Sequence, residues 1–487
     1  MKVTDYIPAR YQRFAWSFGS FGNAIMSNVL TIFVIYFYLD EVLVKPSDWD
    51  ALLVTIITFS GKLSEGLMNV PVARISDNIR TRFGRRRPFL LLSPLWVIFF
   101  VLVFSCPSSN IFIVLPWLFI SFIGFRWTNA AVINPYLALL PEIAPKFNDR
   151  TSYQARRTAF TLIGTILGVL IFPILRGFFA GIVGSGRQTA FLSTLPIAFF
   201  AFFCMLIVYF GVKENDQATL THLGMIESFK KTFRNKTFFP SYLATLSTQM
   251  LAEAMLLAAI PMVAVNYIGL DPDDIMVSLI SGMFVVTAII SVPIISKLSY
   301  KYGKARVYYY SCLFFGILPW LMLFIGQIPF ITPENITSFI EVITEDGIRL
   351  QLVTSPDWMN FVLYQTLITI IIVGIPVGGV MVLGYSVFSD VIDYDEKITG
   401  QRRESMYFAA QGVVDWFFAA LGDLMLGIIL FVFGREFYSS EVVTETGILG
   451  TGPLGLLLVG PVAGIALIIG ALLFRRYPLM EGRKEEK

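Results

Sequence analysis

The chain contains little histidine and cysteine, and each shortage excludes a class of site. One His and three Cys occur in 487 residues. The single histidine, His222, cannot build the histidine-based catalytic or metal sites of many enzymes. Cys106, Cys204 and Cys312 lack the paired spacing of a disulfide framework or a thiolate metal site. A Ser–His–Asp set and a phosphate-binding loop are also missing from the sequence. We therefore expect no enzyme, no cofactor and no bound metal.

Charged residues are also fewer than in a typical soluble protein. They make up 15% of the chain, whereas soluble domains carry about a quarter. Hydrophobic residues make up 56%, and they are gathered in runs of about 20, the length that crosses a bilayer. The net charge of +3 gives no support for nucleic-acid binding. The composition therefore indicates a helical protein that crosses a membrane many times.

The apolar runs predict twelve transmembrane helices and an all-α fold. The predicted spans are 14–39, 51–75, 89–106, 111–140, 156–181, 188–212, 239–268, 275–298, 307–329, 358–389, 404–434 and 453–475. With the N-terminus inside, the inner segments hold 30 Lys and Arg and the outer segments hold 5. Because cytoplasmic loops are enriched in Lys and Arg, we expect both the N- and C-termini to be cytoplasmic.

Two basic loops indicate that the chain repeats itself. RISDNIRTRFGRRRP (Arg74–Pro88) follows the second span, and SKLSYKYGKAR (Ser296–Arg306) follows the eighth. We expect two six-helix pseudo-repeats joined by a cytoplasmic linker. The divisions are 1–212 for the first half, 213–238 for the linker, 239–475 for the second half and 476–487 for a cytoplasmic tail. The outer loop 330–357 is unusually long, and it fits a partly ordered cap and an irregular excursion equally well.

Three stretches carry a resemblance to a known family. They are GKLSEGLMNVPVARISDNIRTRFGRRRPF around the second span, PEIAPKFNDRTSYQARRTAFTLIG after the fourth, and SDVIDYDEKITGQRRESMYF (Ser389–Phe408) after the tenth. They resemble the glycoside–pentoside–hexuronide:cation symporters of the major facilitator superfamily. The resemblance implies a multi-pass protein of the plasma (inner) membrane. It also implies symport of a sugar or glycoside with H⁺ or Na⁺ by alternating access, with the substrate bound near the midplane between the halves.

Three polar residues share one face of the second span: Lys62, Glu65 and Asn69. Ionisable groups are costly in hydrocarbon and usually face a cavity or a partner. The resemblance implies that this face binds the coupling cation, with Glu65 at the place of a family carboxylate and Asn69 replacing a second one. The residues alone also allow Glu65 to be a structural ion-pair partner, for example of Lys62.

Polar residues of other spans are the candidates for substrate binding. Asp415 and Trp416 together offer a carboxylate for hydroxyl groups and a flat face for a sugar ring, although Trp416 can equally face lipid. Arg126 can serve as the counter-charge of Asp415, Asp423 or Glu253 in the second half, and the sequence does not decide among these pairings. The full candidate set is Asn23, Arg126, Asn129, Asn134, Arg157, Gln249, Glu253, Gln411, Asp415 and Trp416.

Three positions depart from the pattern of the family. Ala24, Ile133 and Trp416 stand where the best-known members carry charged residues for the sugar and Na⁺. The resemblance therefore implies the fold and the class of transporter, and it leaves the identity of the solute and of the cation open.

Charged residues at the cytoplasmic ends of the spans are candidates for gating. Acidic residues after the tenth span can pair with the arginines beside them or in the equivalent loop of the first half, which would hold the cytoplasmic side closed. The alternative is that they are solvated charges that only set the topology. The candidates are Asp77, Arg85, Arg150, Asp390, Asp393, Arg402 and Arg403.

The expected partners are a small-molecule substrate (a sugar or glycoside), a coupling cation and the lipid bilayer, with no nucleic acid, and we expect a monomer. Related eukaryotic proteins of this fold move lysophospholipids. An amphiphile carrier is therefore the first alternative, and the 45 Phe residues suit it as well as they suit plain lipid contact. A non-transporting membrane sensor that has kept the fold is the second alternative.

Overall fold

The computed structural model describes residues 9–43, 47–79, 81, 84, 86–143, 147–184, 186–213, 242–267, 270, 275–325, 338–344, 347–353, 356–399, 404–433, 454–475 and 477. The described residues are mostly helical, as the apolar runs predict. The chain divides into two compact units, one formed by 1–46 with 53–228 and the other by 47–52 with 229–487. Nearly all of the predicted linker 213–238 and most of the predicted tail 476–487 lie outside the described residues.

The regular secondary-structure elements in the described part of the first unit are all helices. They are α1 (Ala9–Tyr36), continued by a π-helix (Phe37–Val42), α2 (Asp48–Asn78), α3 (Arg87–Leu90), α4 (Ser93–Val103), α5 (Ile111–Ala138), α6 (Leu140–Ile143), α7 (Phe147–Val183) and α8 (Arg187–Gly211). The long helices α1, α2, α5, α7 and α8 each correspond to one predicted span.

The predicted span 89–106 is a broken helix rather than a continuous one. Pro88 lies in the first turn of α3, and Pro94 lies in the first turn of α4. Proline has no N–H group and fits the first turn of a helix but not its interior, so each proline starts a new helix. The chain turns at Leu91 and Leu92 between them.

The second unit combines helices with one β-hairpin. Its elements are α9 (Ala244–Met262), continued by a π-helix (Val263–Tyr267), α10 (Ile275–Tyr302), α11 (Lys304–Ile317), continued by a 3₁₀-helix (Leu318–Phe324), β1 (Ser338–Thr344), β2 (Gly347–Val353), α12 (Pro356–Thr399), α13 (Glu404–Phe433) and α14 (Leu454–Phe474). The strands are antiparallel, with Ser338 opposite Val353 and Thr344 opposite Gly347. The described part of the outer loop 330–357 is therefore mainly this hairpin.

Eleven of the described helices are long and apolar enough to cross a membrane, and the broken helix Arg87–Val103 is a shorter apolar one. Large apolar side chains point outward from these helices: Phe112 is 84% exposed, Phe199 71% and Ile120 65%. Such exposure is expected where lipid rather than water covers a helix. All twelve predicted spans thus have a helical counterpart, and the prediction of a helical polytopic membrane protein is confirmed, with the β-hairpin as the one element that the all-α prediction did not include among the described residues.

Helix α5 contacts α1 near its C-terminal end and α2 near its middle. The Trp16 indole N–H donates to the Tyr136 carbonyl at 3.0 Å, and the Tyr136 hydroxyl donates to the Trp16 carbonyl at 2.6 Å. On the other side, Gly61 of α2 lies so close to α5 that a Cβ would collide with the ring of Phe122. Only glycine permits this approach, which brings the polar residues of α5 against those of α2.

Candidate functional site

A buried group of charged and amide side chains joins α2 to α5 inside the first unit. Glu65 of α2 is 2% exposed, while Arg126 and Asn129 of α5 are 3% and 5% exposed. The Arg126 Nη1 lies 3.1 Å from Glu65 Oε2, and the Asn129 Nδ2 donates to Glu65 Oε1 at 2.6 Å. Both carboxylate oxygens of Glu65 are therefore engaged by groups of α5.

Two further groups complete the electrostatics around Glu65. Lys62 is 4% exposed, lies one turn before Glu65, and is close enough to interact with its carboxylate. The Arg126 guanidinium lies 4.7 Å from the centre of the Phe122 ring, in a cation–π contact. The free-energy cost of burying the Lys62 and Arg126 cations is thus offset partly by the Glu65 carboxylate and partly by the Phe122 ring.

A second contact continues the polar strip toward the end of α5. The Asn134 Nδ2 donates to Asn69 Oδ1 at 2.6 Å. Asn69 lies one turn after Glu65 on α2, and both side chains of this pair are half-buried. The structure therefore brings together five of the predicted residues, Glu65, Asn69, Arg126, Asn129 and Asn134, along one line of contact between two helices.

The structure gives Arg126 a partner that the sequence analysis did not consider. This partner is Glu65 of the same half. The reason is the tight α2–α5 packing at Gly61, one turn from Glu65, which sequence spacing does not reveal. Lys62 also interacts with the Glu65 carboxylate, as the sequence analysis allowed.

Two predicted substrate residues lie on other helices of the first unit. Asn23 of α1 is half-buried and accepts a hydrogen bond from the Ser27 hydroxyl at 3.5 Å. Arg157 of α7 is half-buried as well, and its carbonyl accepts from the Ser20 hydroxyl at 3.2 Å. Their roles stay predictions.

The polar candidates of the second unit also meet one another. Gln411 and Asp415 lie one turn apart on α13 and are hydrogen-bonded, and Asp415 is close enough to Glu253 of α9 for their carboxylates to repel each other. The Tyr308 hydroxyl of α11 lies 3.4 Å from Gln249 Oε1, also on α9. Trp416 is half-buried on α13, and its role stays a prediction.

Among the gating candidates, the structure describes the side-chain contacts of Asp390. Its Oδ1 lies 3.5 Å from the Lys304 ammonium, and these two side chains are 39% and 50% exposed. This partner is a residue of the basic loop in its own half, which the sequence analysis did not consider. The side chains of Asp77, Arg150 and Asp393, and the whole of Arg85, Arg402 and Arg403, lie outside the described residues.

Sequence reasoning missed three charged side chains that hold helices together. Arg86 is buried and donates to the carbonyl of Ala138, while Arg87 donates to the Tyr209 carbonyl at 2.6 Å. Arg176 of α7 forms a buried ion pair with Glu41 at the end of the α1 π-helix. The available signal was an arginine within one apolar stretch and an acidic residue at the end of another. The count of Lys and Arg on the two sides of the membrane treated Arg176 only as an outer charge.

Comparison with known proteins identifies the family. Residues 15–481 match the family described as MFS/sugar transport protein. The chain belongs to this family. An isoprimeverose transporter of Lactiplantibacillus pentosus is 23% identical over a segment that spans 42% of each chain, less than half of that relative. A sphingosine-1-phosphate transporter of Xenopus tropicalis is 22% identical over 97% of this chain and 88% of its own.

The fold agrees with this family. A solved nucleoside transporter superposes with a TM-score of 0.58 at 13% identity, covering 97% of this chain and 100% of the other. At this identity the likeness concerns the fold alone. The family and its fold neighbours are membrane transporters, which confirms the predictions of a major facilitator transporter rather than an enzyme and of a multi-pass plasma-membrane protein.

Proposed function

We propose that the protein is a symporter that carries a sugar-like solute together with a cation by alternating access. The family match over residues 15–481 supports sugar transport. The observation that carries the proposal is the buried set of Glu65, Arg126 and Asn129 in the middle of apolar helices, where such groups are costly and face a partner or a substrate. Two six-helix pseudo-repeats are the usual framework for alternating access.

The chemistry of the α2–α5 strip suits a polyhydroxylated solute. Guanidinium groups donate hydrogen bonds in a fixed plane, and amide groups both donate and accept them, which matches the hydroxyl groups of a sugar ring. The Asn129 Oδ1 is buried and has no hydrogen-bond donor among the described residues. A solute hydroxyl would supply that donor. We therefore place the sugar-binding role on Arg126, Asn129, Asn134 and Asn69.

The expectation that Glu65 binds the coupling cation conflicts with its contacts. A Na⁺ ion at Glu65 would compete with Arg126 and Asn129 for the same two oxygens, and a proton would break the ion pair with Arg126. We propose instead that Glu65 orients Arg126 and Asn129 toward the solute. Asn69 and Lys62 then act with it in the first half, as part of the solute site.

Uptake into liposomes tests this function. The purified protein is reconstituted, and labelled sugars are presented under an inward H⁺ gradient, an inward Na⁺ gradient or no gradient. We expect concentrative uptake of at least one sugar under one of the gradients, abolished by an ionophore that dissipates it. Uptake that only equilibrates, whatever the gradient, would contradict symport.

An amphiphile carrier is the second candidate, and one relative favours it. This relative, which matches nearly the whole chain, carries sphingosine-1-phosphate by name. The same liposomes are therefore tested with a fluorescent lysophospholipid. Translocation of this lipid without uptake of any sugar would replace the sugar proposal.

A further inference from the structure

The carboxyl groups of the second unit have a different environment from Glu65. Glu253 projects from α9, one turn after Gln249, and Asp415 projects from α13, one turn after Gln411. The two helices pack against each other at Gly422, where a Cβ would lie 2.5 Å from the carbonyl oxygen of Leu251. Asp415 lies within electrostatic range of Glu253.

The helices around this pair carry no compensating positive charge in their sequences. Neither α9, α13 nor α14, which pack on one another, contains Lys, Arg or His. The basic residues of the neighbouring α10 and α11 are Lys297, Lys301, Lys304 and Arg306, and all four are exposed. The other ionisable groups nearby are Tyr308 of α11 and the acidic Asp423 of α13. Two carboxylates in such surroundings cannot both stay charged without a bound cation.

Unsatisfied oxygen atoms mark where that cation would bind. The Gln411 side chain is 5% exposed, and its Oε1 has no hydrogen-bond donor among the described residues. The Asp415 Oδ1 is likewise buried without a described donor. Buried acceptors without donors are rare in folded proteins and call for an explanation. A proton on one carboxyl group would supply a donor, and a Na⁺ ion would be ligated by the same oxygens.

The contrast with the first unit locates the ion. Glu65 already has a guanidinium and an amide on its two oxygens, whereas the Gln411 Oε1 and the Asp415 Oδ1 are buried without a donor among the described residues. We propose that Glu253, Gln411 and Asp415 form the binding site of the coupling cation, a proton or Na⁺, in the C-terminal half. The proposal rests on the symport function and assigns the ion to residues other than those of the Glu65 strip.

Neutral variants separate coupling from transport. Glu253→Gln and Asp415→Asn are compared with Glu65→Gln and with Asp423→Asn, a matched neutralisation on the same helix. Each is assayed for gradient-driven accumulation and for counterflow, the exchange of labelled for unlabelled sugar without any gradient. We expect Glu253→Gln and Asp415→Asn to lose accumulation and keep counterflow, and Asp423→Asn to keep both. Glu65→Gln is expected to weaken counterflow as well, because it disturbs the solute site.

The ion that moves together with the sugar shows whether the site binds a proton or Na⁺. If the site takes a proton, addition of sugar makes the external medium alkaline, and this signal disappears in Glu253→Gln. If it takes Na⁺, sugar instead drives the uptake of labelled Na⁺, with the same loss. Where Asp415→Asn does not fold, Asp415→Glu keeps the carboxyl group and is expected to keep coupling.

Two results would overturn the proposal. One is undiminished accumulation in both Glu253→Gln and Asp415→Asn. The other is loss of accumulation and counterflow together in folded variants, which would make the pair part of the solute site. Failure of the symport function itself looks different, because the wild-type protein would then show no gradient-driven accumulation of any sugar.

Discussion

The ion pair between Glu65 and Arg126 makes a quantitative prediction about stability. Both side chains are almost fully buried and 3.1 Å apart. Removing one partner of a buried pair typically costs about 3–5 kcal/mol, because the other charge is left buried alone. Glu65→Gln should lie at the upper end, since it leaves Arg126 and Lys62 as two buried cations. Arg126→Met should lie at the lower end, since Lys62 still offsets the charge of Glu65.

The double variant Glu65→Gln/Arg126→Met decides whether the two charges act as a pair. Replacing both partners of a buried pair is often close to neutral, so the double variant should cost at least about 2 kcal/mol less than the sum of the single variants. The Asn129 amide can rotate to accept from the new Gln, because its Oδ1 has no donor among the described residues. The remaining cost then reflects mainly the charge of Lys62.

The assay is thermal unfolding in detergent micelles, followed by tryptophan fluorescence. For a domain of about 200 residues, 1 kcal/mol corresponds to roughly 2–4 °C, so each single variant should lower the apparent Tm by roughly 6–20 °C. Asn134→Ala is the control, because it removes a neutral hydrogen bond of the same strip and should cost only about 1 kcal/mol. Strictly additive effects of the two charge substitutions would refute the pairing.

Two further predictions concern packing and charge. Gly422→Ala should lower the apparent Tm, because the new Cβ meets the Leu251 backbone and overpacking costs about 1–3 kcal/mol. Gly412→Ala, on the same helix but with nothing within 4 Å of its Cβ, should leave it unchanged, and equal effects would contradict the packing argument. Arg176→Gln, which breaks a buried ion pair, should cost about 3–5 kcal/mol. Lys304→Gln, which breaks an exposed one, should cost about 1 kcal/mol or less, and comparable losses of Tm would show that burial does not set the difference.

The spacing of polar residues along each helix was a good guide to which side chains share a face. Glu65 and Asn69 do lie on one face of α2, and Gln411 and Asp415 on one face of α13, since helical geometry is local. The broken span at 89–106 was missed, although Pro88 and Pro94 were visible in the sequence. An apolar run shows that a segment enters the membrane, but proline position decides whether it does so as one helix.

Partners across helices were beyond the reach of the sequence. The sequence offers several acidic residues to Arg126, and only the structure shows that Glu65 is a partner. The contact of Asp390 with Lys304 of the basic loop was likewise not foreseen. Such choices depend on side-chain distances of a few ångströms between helices that are far apart in the chain.

The sequence by itself determined that the chain is a helical membrane protein with twelve apolar segments, and it predicts which side the basic loops face. Both follow from the cost of placing polar groups in hydrocarbon, which acts on each segment separately. The tertiary structure alone decided that both oxygens of Glu65 are engaged by Arg126 and Asn129, whereas the Asp415 Oδ1 is buried without a donor among the described residues. Such contacts depend on distances between helices that are far apart in the chain, and the close approach at Gly61 sets one of them.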